Sequence, residues 1–250
     1  MKALITGASS GIGKDMAIYL DSLGYELILV ARDEEKLKKL CGSLNKAKYY
    51  AYDLCDVNNM YKLYEDTKNE KIDFLINNAG FGLFGYFDET DLDKELRMID
   101  LNIKSVHVLT KLYLKDFVKR DSGHILNVAS SAGFLVGPYL STYYASKNYV
   151  LKLTMAISEE LSRKKSKVKI SALCPGPVDT NFNKVAGGHF NTSSLTSQYV
   201  AKYGVDKTLK GKMIIIPGLK IKLGVFLARF LPYKLLLKIM YNIQYNKKNK

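Results

Sequence analysis

Apolar positions along this chain fall into short runs separated by longer stretches of helical period. Residues 2–6, 26–31, 48–52, 72–77, 124–129, 168–173 and 213–216 read as strands, and residues 11–22, 33–41, 57–68, 91–118, 141–163 and 195–205 carry the helical pattern. Such alternation predicts an α/β fold: a doubly wound parallel sheet of about seven strands, helices on both faces, in a single domain. Right-handed crossovers leave few topologies for it. No internal repeat or long polar linker interrupts the pattern. Residues 183–194 lack periodicity and look like a mobile insertion, either a substrate lid or a solvated surface loop.

Charge divides the chain. Of 38 basic residues, eleven lie beyond position 206 with no acid among them, so the preceding part carries 27 basic against 24 acidic residues. The body is nearly neutral and the tail strongly basic. This sets a domain over residues 1–217 apart from a basic amphipathic tail over 218–250. Cys41, Cys55 and Cys174 are scattered and odd in number, without the spacing of a disulfide framework or zinc site, which fits a reducing cytoplasm. His107, His124 and His189 show no metal-ligand spacing, so no metal is expected. The apolar run at the N-terminus is too short for a signal peptide or a spanning helix.

The first strand runs directly into Thr6-Gly7-Ala8-Ser9-Ser10-Gly11-Ile12-Gly13 and then a helix. Glycines there let backbone approach a pyrophosphate, and a helix N-terminus offers unpaired N–H groups and partial positive charge. An NAD-selective site usually places an acid at the end of the second strand to bind the ribose hydroxyls. This chain has Ala31-Arg32 instead. A guanidinium suits the adenosine 2′-phosphate in charge and geometry, so the cofactor expected is NADP(H). Lys14 can add charge nearby.

Tyr143 and Lys147 stand four apart on a predicted helix, hence on one face. An adjacent ammonium favours the phenolate, which would lower the tyrosine's pKa from its usual value of about 10 and let it exchange protons near neutrality. Tyr64/Lys68 and Tyr203/Lys207 share the spacing, but only Tyr143/Lys147 follows a serine, Ser130, at a predicted strand end.

These residues resemble the short-chain dehydrogenase/reductase family, and the likeness covers essentially residues 1–217. The turn Thr6 to Gly13 is similar to the family's cofactor turn, Asp53-Leu54 to its adenine-contacting acid, and Asn77-Asn78-Ala79-Gly80 to its fourth-strand signature. Asn102 resembles the asparagine that anchors a proton-relay water in the long fourth helix. Asn127-Val128-Ala129-Ser130 looks like the serine strand, Tyr143-Tyr144-Ala145-Ser146-Lys147 like the Y-x-x-x-K helix, and Pro175-Gly176-Pro177-Val178-Asp179-Thr180 like the nicotinamide-side loop.

The resemblance implies a Rossmann strand order and reversible carbonyl–alcohol chemistry. Tyr143 is then acid and base, Lys147 lowers its pKa and holds the nicotinamide ribose, Ser130 orients the carbonyl, and Asn102 supports the proton path. It also implies a homo-oligomer through the helices at 91–118 and 141–163. The alternative is a catalytically inactive NADP(H)-binding sensor or membrane-associated regulatory protein, and an inactive binder would be expected to lack one of the four groups.

The segments 81–87 and 133–140 follow the fourth and fifth strands and are rich in aromatic and aliphatic residues. They suit an apolar small-molecule substrate of acyl, steroid-like or lipid-like character, or else cover a core or interface. After Pro217, lysines interleave with aliphatic residues and Pro232 divides two short helices. That pattern fits a segment lying on an anionic membrane, or an apolar face packed on its own domain or a neighbouring subunit. Nucleic acid is not expected, because the basic residues sit among aliphatic ones.

Overall fold

The computed structural model describes residues 1–180, 182 and 194–248. The chain opens with β1 (Lys2–Thr6), α1 (Gly11–Ser22), β2 (Glu26–Ala31), α2 (Glu34–Cys41), β3 (Ala47–Ala51), α3 (Val57–Thr67) and β4 (Phe74–Asn77). Then follow α4 (Leu92–Ile99), a π-helical turn (Asp100–Ser105), α5 (Val106–Lys119), β5 (His124–Val128), a 3-10 turn (Ser131–Phe134), α6 (Ser141–Arg163) and β6 (Lys169–Leu173). The last part holds β7 (Val178–Asp179), β8 (Leu195–Thr196), α7 (Ser197–Leu209), β9 (Ile214–Ile215), α8 (Leu219–Ala228) and α9 (Tyr233–Lys248).

Seven strands form one parallel sheet in the order β3-β2-β1-β4-β5-β6-β9. The chain builds outward from β1 in one direction, returns to lay β4 against β1, and builds the other way. That reversal opens a crevice beyond the C-terminal ends of β1 and β4, where ligands of open α/β sheets bind. The expected doubly wound fold is present, with strand boundaries close to those read from the apolar runs. The segment 183–194, with its reading as lid or loop, lies outside the described residues except for Ser194, as does His189.

Strand alternation sorts the core. Ala3 and Ile5 of β1 face the same way as Leu27 and Leu29 of β2, beneath Met16 and Leu20 of α1 and Val200 and Val205 of α7. Leu4, Ile28 and Val30 face the other way, against Met60 and Leu63 of α3, Leu109, Tyr113 and Phe117 of α5, and Leu161 of α6. Burying each such aliphatic side chain contributes about 1.5–3 kcal/mol.

Two polar devices position the strand ends. The Thr6 hydroxyl oxygen accepts the backbone N–H groups of Asn78 at 3.0 Å and Ala79 at 3.1 Å, clipping the loop after β4 to the end of β1. Asn77 and Asn127 are register partners on β4 and β5. Asn77 Nδ2 donates to Asn127 Oδ1 at 2.9 Å and to Thr110 Oγ1 on α5 at 3.0 Å, while Asn127 Nδ2 donates to Thr154 Oγ1 on α6 at 2.9 Å. All four side chains are buried, so the network fixes both helices against the sheet.

The helix expected to run unbroken over 91–118 is interrupted by the π turn at Asp100–Ser105. The apolar period conceals the interruption because the flanking turns keep their core faces. The wider turn carries buried Asn102, whose Nδ2 donates to the Phe81 carbonyl at 2.9 Å and whose Oδ1 accepts the Phe81 N–H at 3.1 Å. Such turns often accompany functional positions.

Thr6→Val keeps the shape of the side chain and removes the acceptor, leaving two N–H groups of the β4 loop short of a partner. It should cost about 1–3 kcal/mol of stability, read as a lower urea midpoint at unchanged slope. An unchanged midpoint would show that the clip does not hold these strands together.

Candidate active site

The glycine-rich turn is shaped by the loop it faces. Asn78 Nδ2 donates to the carbonyls of Thr6 at 3.0 Å and Gly7 at 3.1 Å. Gly7 has φ +66°, and a Cβ there would sit 2.8 Å from Ala79 Cα. At Gly13 a Cβ would meet both Gly7 O and Asn78 Nδ2 at 2.4 Å. Thr180, directly after β7, closes on the turn, with its Cγ2 3.2 Å from the place a Cβ of Gly11 would take. Ile12 packs into the core beneath. Ser9 is partly exposed, while Ser10 starts α1 without a side-chain cap and with no acid in the first turn. The helix N-terminus therefore keeps N–H groups and partial positive charge for an anion.

At the end of β2 the Arg32 side chain is exposed, beside the loop that follows β3. Burial drives the Cys55 thiol in that loop up to about 11, with Asp53 adding to the rise and Arg97 and Arg32 pulling against it. Burial works to raise the Asp53 carboxyl, but the Cys55 N–H at 3.0 Å and Arg97 Nη2 at 2.8 Å together hold it below the usual carboxylate range. Leu54 is buried behind them. Arg97 escaped the sequence reading, since nothing local in α4 signals a partner in the loop after β3.

On α6, Tyr143 and Lys147 share a face as expected, with Lys147 Nζ 5.8 Å from the phenol ring centroid. The expected lowering of the tyrosine is absent. Burial pushes the Tyr143 phenol up to about 12, and the opposing influence is a hydrogen bond with Ser130 rather than Lys147. The ammonium donates to the Val128 carbonyl at 2.9 Å, and burial brings it down to about 8. Desolvation of both groups thus outweighs their mutual charge effect.

Ser130 stands two residues past β5, at the head of the 3-10 turn, where its Oγ accepts the Ala132 N–H at 3.1 Å and donates to the Pro175 carbonyl at 3.4 Å. Asn102 Nδ2 also donates to Ser146 Oγ at 3.1 Å, and Ser146 in turn donates to the Tyr143 carbonyl at 2.7 Å. A Cβ on Gly80 would stand 2.9 Å from Asn102 Oδ1 and 3.3 Å from Lys147 Nζ. The structure thus gathers Ser130, Tyr143, Lys147 and Asn102 beside the β4 loop. Ser146 and buried Cys174, which senses the Lys147 charge, join them without having been singled out in the sequence.

Phe182 covers Tyr143 at 5.3 Å between ring centroids and lies against Gly82, making an apolar wall. Tyr144, the neighbouring phenol, packs against Gly137 and accepts a hydrogen bond from Gln244 Nε2 of α9 at 2.8 Å. The tail thus packs one face on its own domain. Ile221 of α8 lies on Gly176, and Tyr241 of α9 joins Tyr86 and Tyr139 at 3.5 and 3.1 Å between hydroxyls. Val178 pairs with Leu195 in the short β7–β8 ladder that continues from Pro175 and Gly176. Among the described residues, no three His, Cys, Asp or Glu side chains gather into a metal-binding group.

The family model described as short chain dehydrogenase matches residues 1–188. An uncharacterized oxidoreductase of Staphylococcus saprophyticus is 36% identical over 185 residues, which span 71% of this chain and 78% of that protein. A short-chain dehydrogenase from Sphingobium yanoikuyae, solved in complex with NADPH, superposes with a TM-score of 0.82 at 28% identity over 87% of this chain and 88% of its own. A short-chain dehydrogenase/reductase from Burkholderia phymatum, solved in complex with NAD, shares the fold with a TM-score of 0.84 at 24% identity, covering 91% of this chain and 92% of that one. The matched family region stops short of α8 and α9.

The two shifts fix a direction with pH. A step in which Tyr143 gives up a proton has its donor protonated throughout neutrality, while Lys147 loses its charge as pH rises through about 8. The rate of that step should hold steady through neutral pH and fall above about 8 as the stabilising ammonium disappears. A rate still climbing well beyond that point would place Lys147 outside the chemistry.

Proposed function

The chain belongs to the short-chain dehydrogenase/reductase family, and we propose that within it this protein is an NADP(H)-dependent oxidoreductase interconverting an apolar carbonyl and its secondary alcohol. The observation that carries the reading is the convergence of Ser130, Tyr143, Lys147 and Asn102 beside a turn that leaves no room for a side chain at Gly7 or Gly13. Bound NADP(H) would donate or accept the hydride at its nicotinamide.

The protein's own groups do the rest. The turn at Gly7, Gly11 and Gly13, with Ser9, Ser10 and the start of α1, receives the diphosphate. Arg32 stands where it can pair with a 2′-phosphate, a role an acid in that place would oppose. Asp53 and Leu54, held by Arg97 and Cys55, face the adenine side. Asn78, Ala79, Gly80, Pro175, Gly176, Val178 and Thr180 border the nicotinamide side.

In reduction, the hydroxyls of Ser130 and Tyr143 hold the substrate oxygen, and the Tyr143 phenol delivers its proton to it. Lys147 offsets the phenolate charge left behind, and Asn102, fixed to Phe81 and Ser146, supports the return of the proton. Burial raises the phenol, so in the reductive direction the group that gives the proton is protonated throughout neutral pH. The wall of Phe182, Gly82 and the 81–87 and 133–140 segments favours a lipid-like, acyl or steroid-like carbonyl.

Finer features belong to the same reading. The catalytic unit spans 1–217 and the tail 218–250, and the tail makes peripheral contact with a membrane. Leu92, Leu96 and Ile99 on α4 and Tyr149 on α6 are exposed and support a homo-oligomer through these helices. The three free cysteines accord with work in the cytoplasm.

Tyr143→Phe should lower turnover by about 10²–10⁴-fold while leaving NADPH affinity unchanged. Turnover at the wild-type level would mean that another group is the acid. Arg32→Asp should weaken NADPH binding by about 10–100-fold and NADH binding far less, as expected for a lost charge-assisted pair. Equal losses for both would remove the 2′-phosphate assignment.

A further inference from the structure

Helix α8 presents outward the side that a helix of a water-soluble domain usually buries. Ile221 and Val225 face the domain, whereas Leu219, Leu223, Phe226 and Phe230 recur at helical spacing on the opposite side, exposed by 81%, 55%, 53% and 71%. Phe226 and Phe230 stack edge to face at 5.2 Å, so the stripe is continuous past the helix end. Lys220 borders it on one edge and Lys222 and Arg229 on the other, all exposed. None of these cations forms an ion pair among the described residues, and the sequence has no acid after Asp206 to supply one. On α9, Leu236, Met240 and Gln244 are buried while Lys234 and Lys238 point outward.

The chemistry selects one occupant. A second copy of the same face would bring cations against cations around each apolar stripe. An anionic bilayer accepts the aliphatic and aromatic side chains at the acyl boundary and pairs the flanking lysines and arginine with headgroups. No described helix is long and apolar enough to cross a membrane, so the contact lies in the interface.

Position gives the contact a consequence. α8 rests on Gly176 and on the turn Ser131–Phe134 that directly follows Ser130. α9 reaches the Tyr86–Tyr139 pair and, through Gln244, the residue next to Tyr143. The tail therefore packs directly beside the segments that carry Ser130 and Tyr143.

We propose that the outward stripe of α8 and its flanking cations dock the protein on an anionic lipid surface, and that this sets the mouth of the site against the lipid, from which it draws its apolar carbonyl. The docking rests on the helix itself, and the uptake of substrate rests on the function proposed above.

The test uses the full chain with phosphatidylcholine vesicles, with and without phosphatidylglycerol. Wild-type protein should co-sediment with the anionic vesicles. Phe226→Ser with Phe230→Ser, or Lys220→Gln with Lys222→Gln and Arg229→Gln, should weaken this by about tenfold or more, in line with lost apolar area and lost charge contacts. Melting temperature, NADPH affinity and turnover of a water-soluble ketone should not change in these variants.

Turnover of a long-chain ketone carried in the vesicles should fall with binding. Failure to co-sediment would overturn the proposal, as would a dimer in analytical ultracentrifugation that the Phe226→Ser, Phe230→Ser protein no longer forms. Vesicle binding without turnover of any ketone would leave the docking standing and overturn the enzymatic reading instead.

Discussion

The structure depends on one clip, the Thr6 hydroxyl holding the backbone of Asn78 and Ala79 while the Asn78 amide holds the carbonyls of Thr6 and Gly7. A doubly wound sheet needs a crevice where its winding reverses, and an unsupported crevice between two loop ends would be soft. Here each loop supplies the hydrogen-bond partners the other lacks. The glycines follow from the same closeness, because a side chain at Gly7 or Gly13 would collide with the partner loop. The uncapped start of α1 and the Gly80 corner that meets Asn102 and Lys147 are thereby held in one frame.

Within that frame, burial is the stronger electrostatic influence. It raises the Tyr143 phenol and lowers the Lys147 ammonium, so each group is biased toward neutrality. A neutral phenol beside a readily discharged lysine is a resting arrangement suited to giving a proton. A strongly paired phenolate and ammonium would be suited to taking one. The second-rank contacts through Val128, Ser146 and Phe81 fix where the groups point, which spacing along a helix does not determine.

Much of this was legible in the chain. Strands appear as apolar runs because both faces of a parallel sheet are covered, and the glycine turn and the Tyr143/Lys147 helix keep their chemistry in contiguous residues. What was hidden is long-range. The π turn leaves no trace in the apolar period, since helical faces on either side stay in register with the core. Arg97 reaches Asp53 from a distant element, and Phe182 meets Tyr143 only once the loop after β6 folds back. The direction in which the Tyr143 phenol moves is hidden too, because a sequence gives spacing but not burial. In the tail the alternation of lysine and leucine indicated amphipathic helices, yet only packing shows that α8 turns its larger apolar side outward.

The most direct measurement is transfer of deuterium from NADPH labelled at nicotinamide C4 to a panel of 3-oxoacyl thioesters, oxosteroids, long-chain ketones and quinones, followed by mass spectrometry. Label should appear on the carbinol carbon of the secondary alcohol formed from an apolar carbonyl. Tight NADPH binding with no label in any alcohol product would contradict the proposed carbonyl reduction.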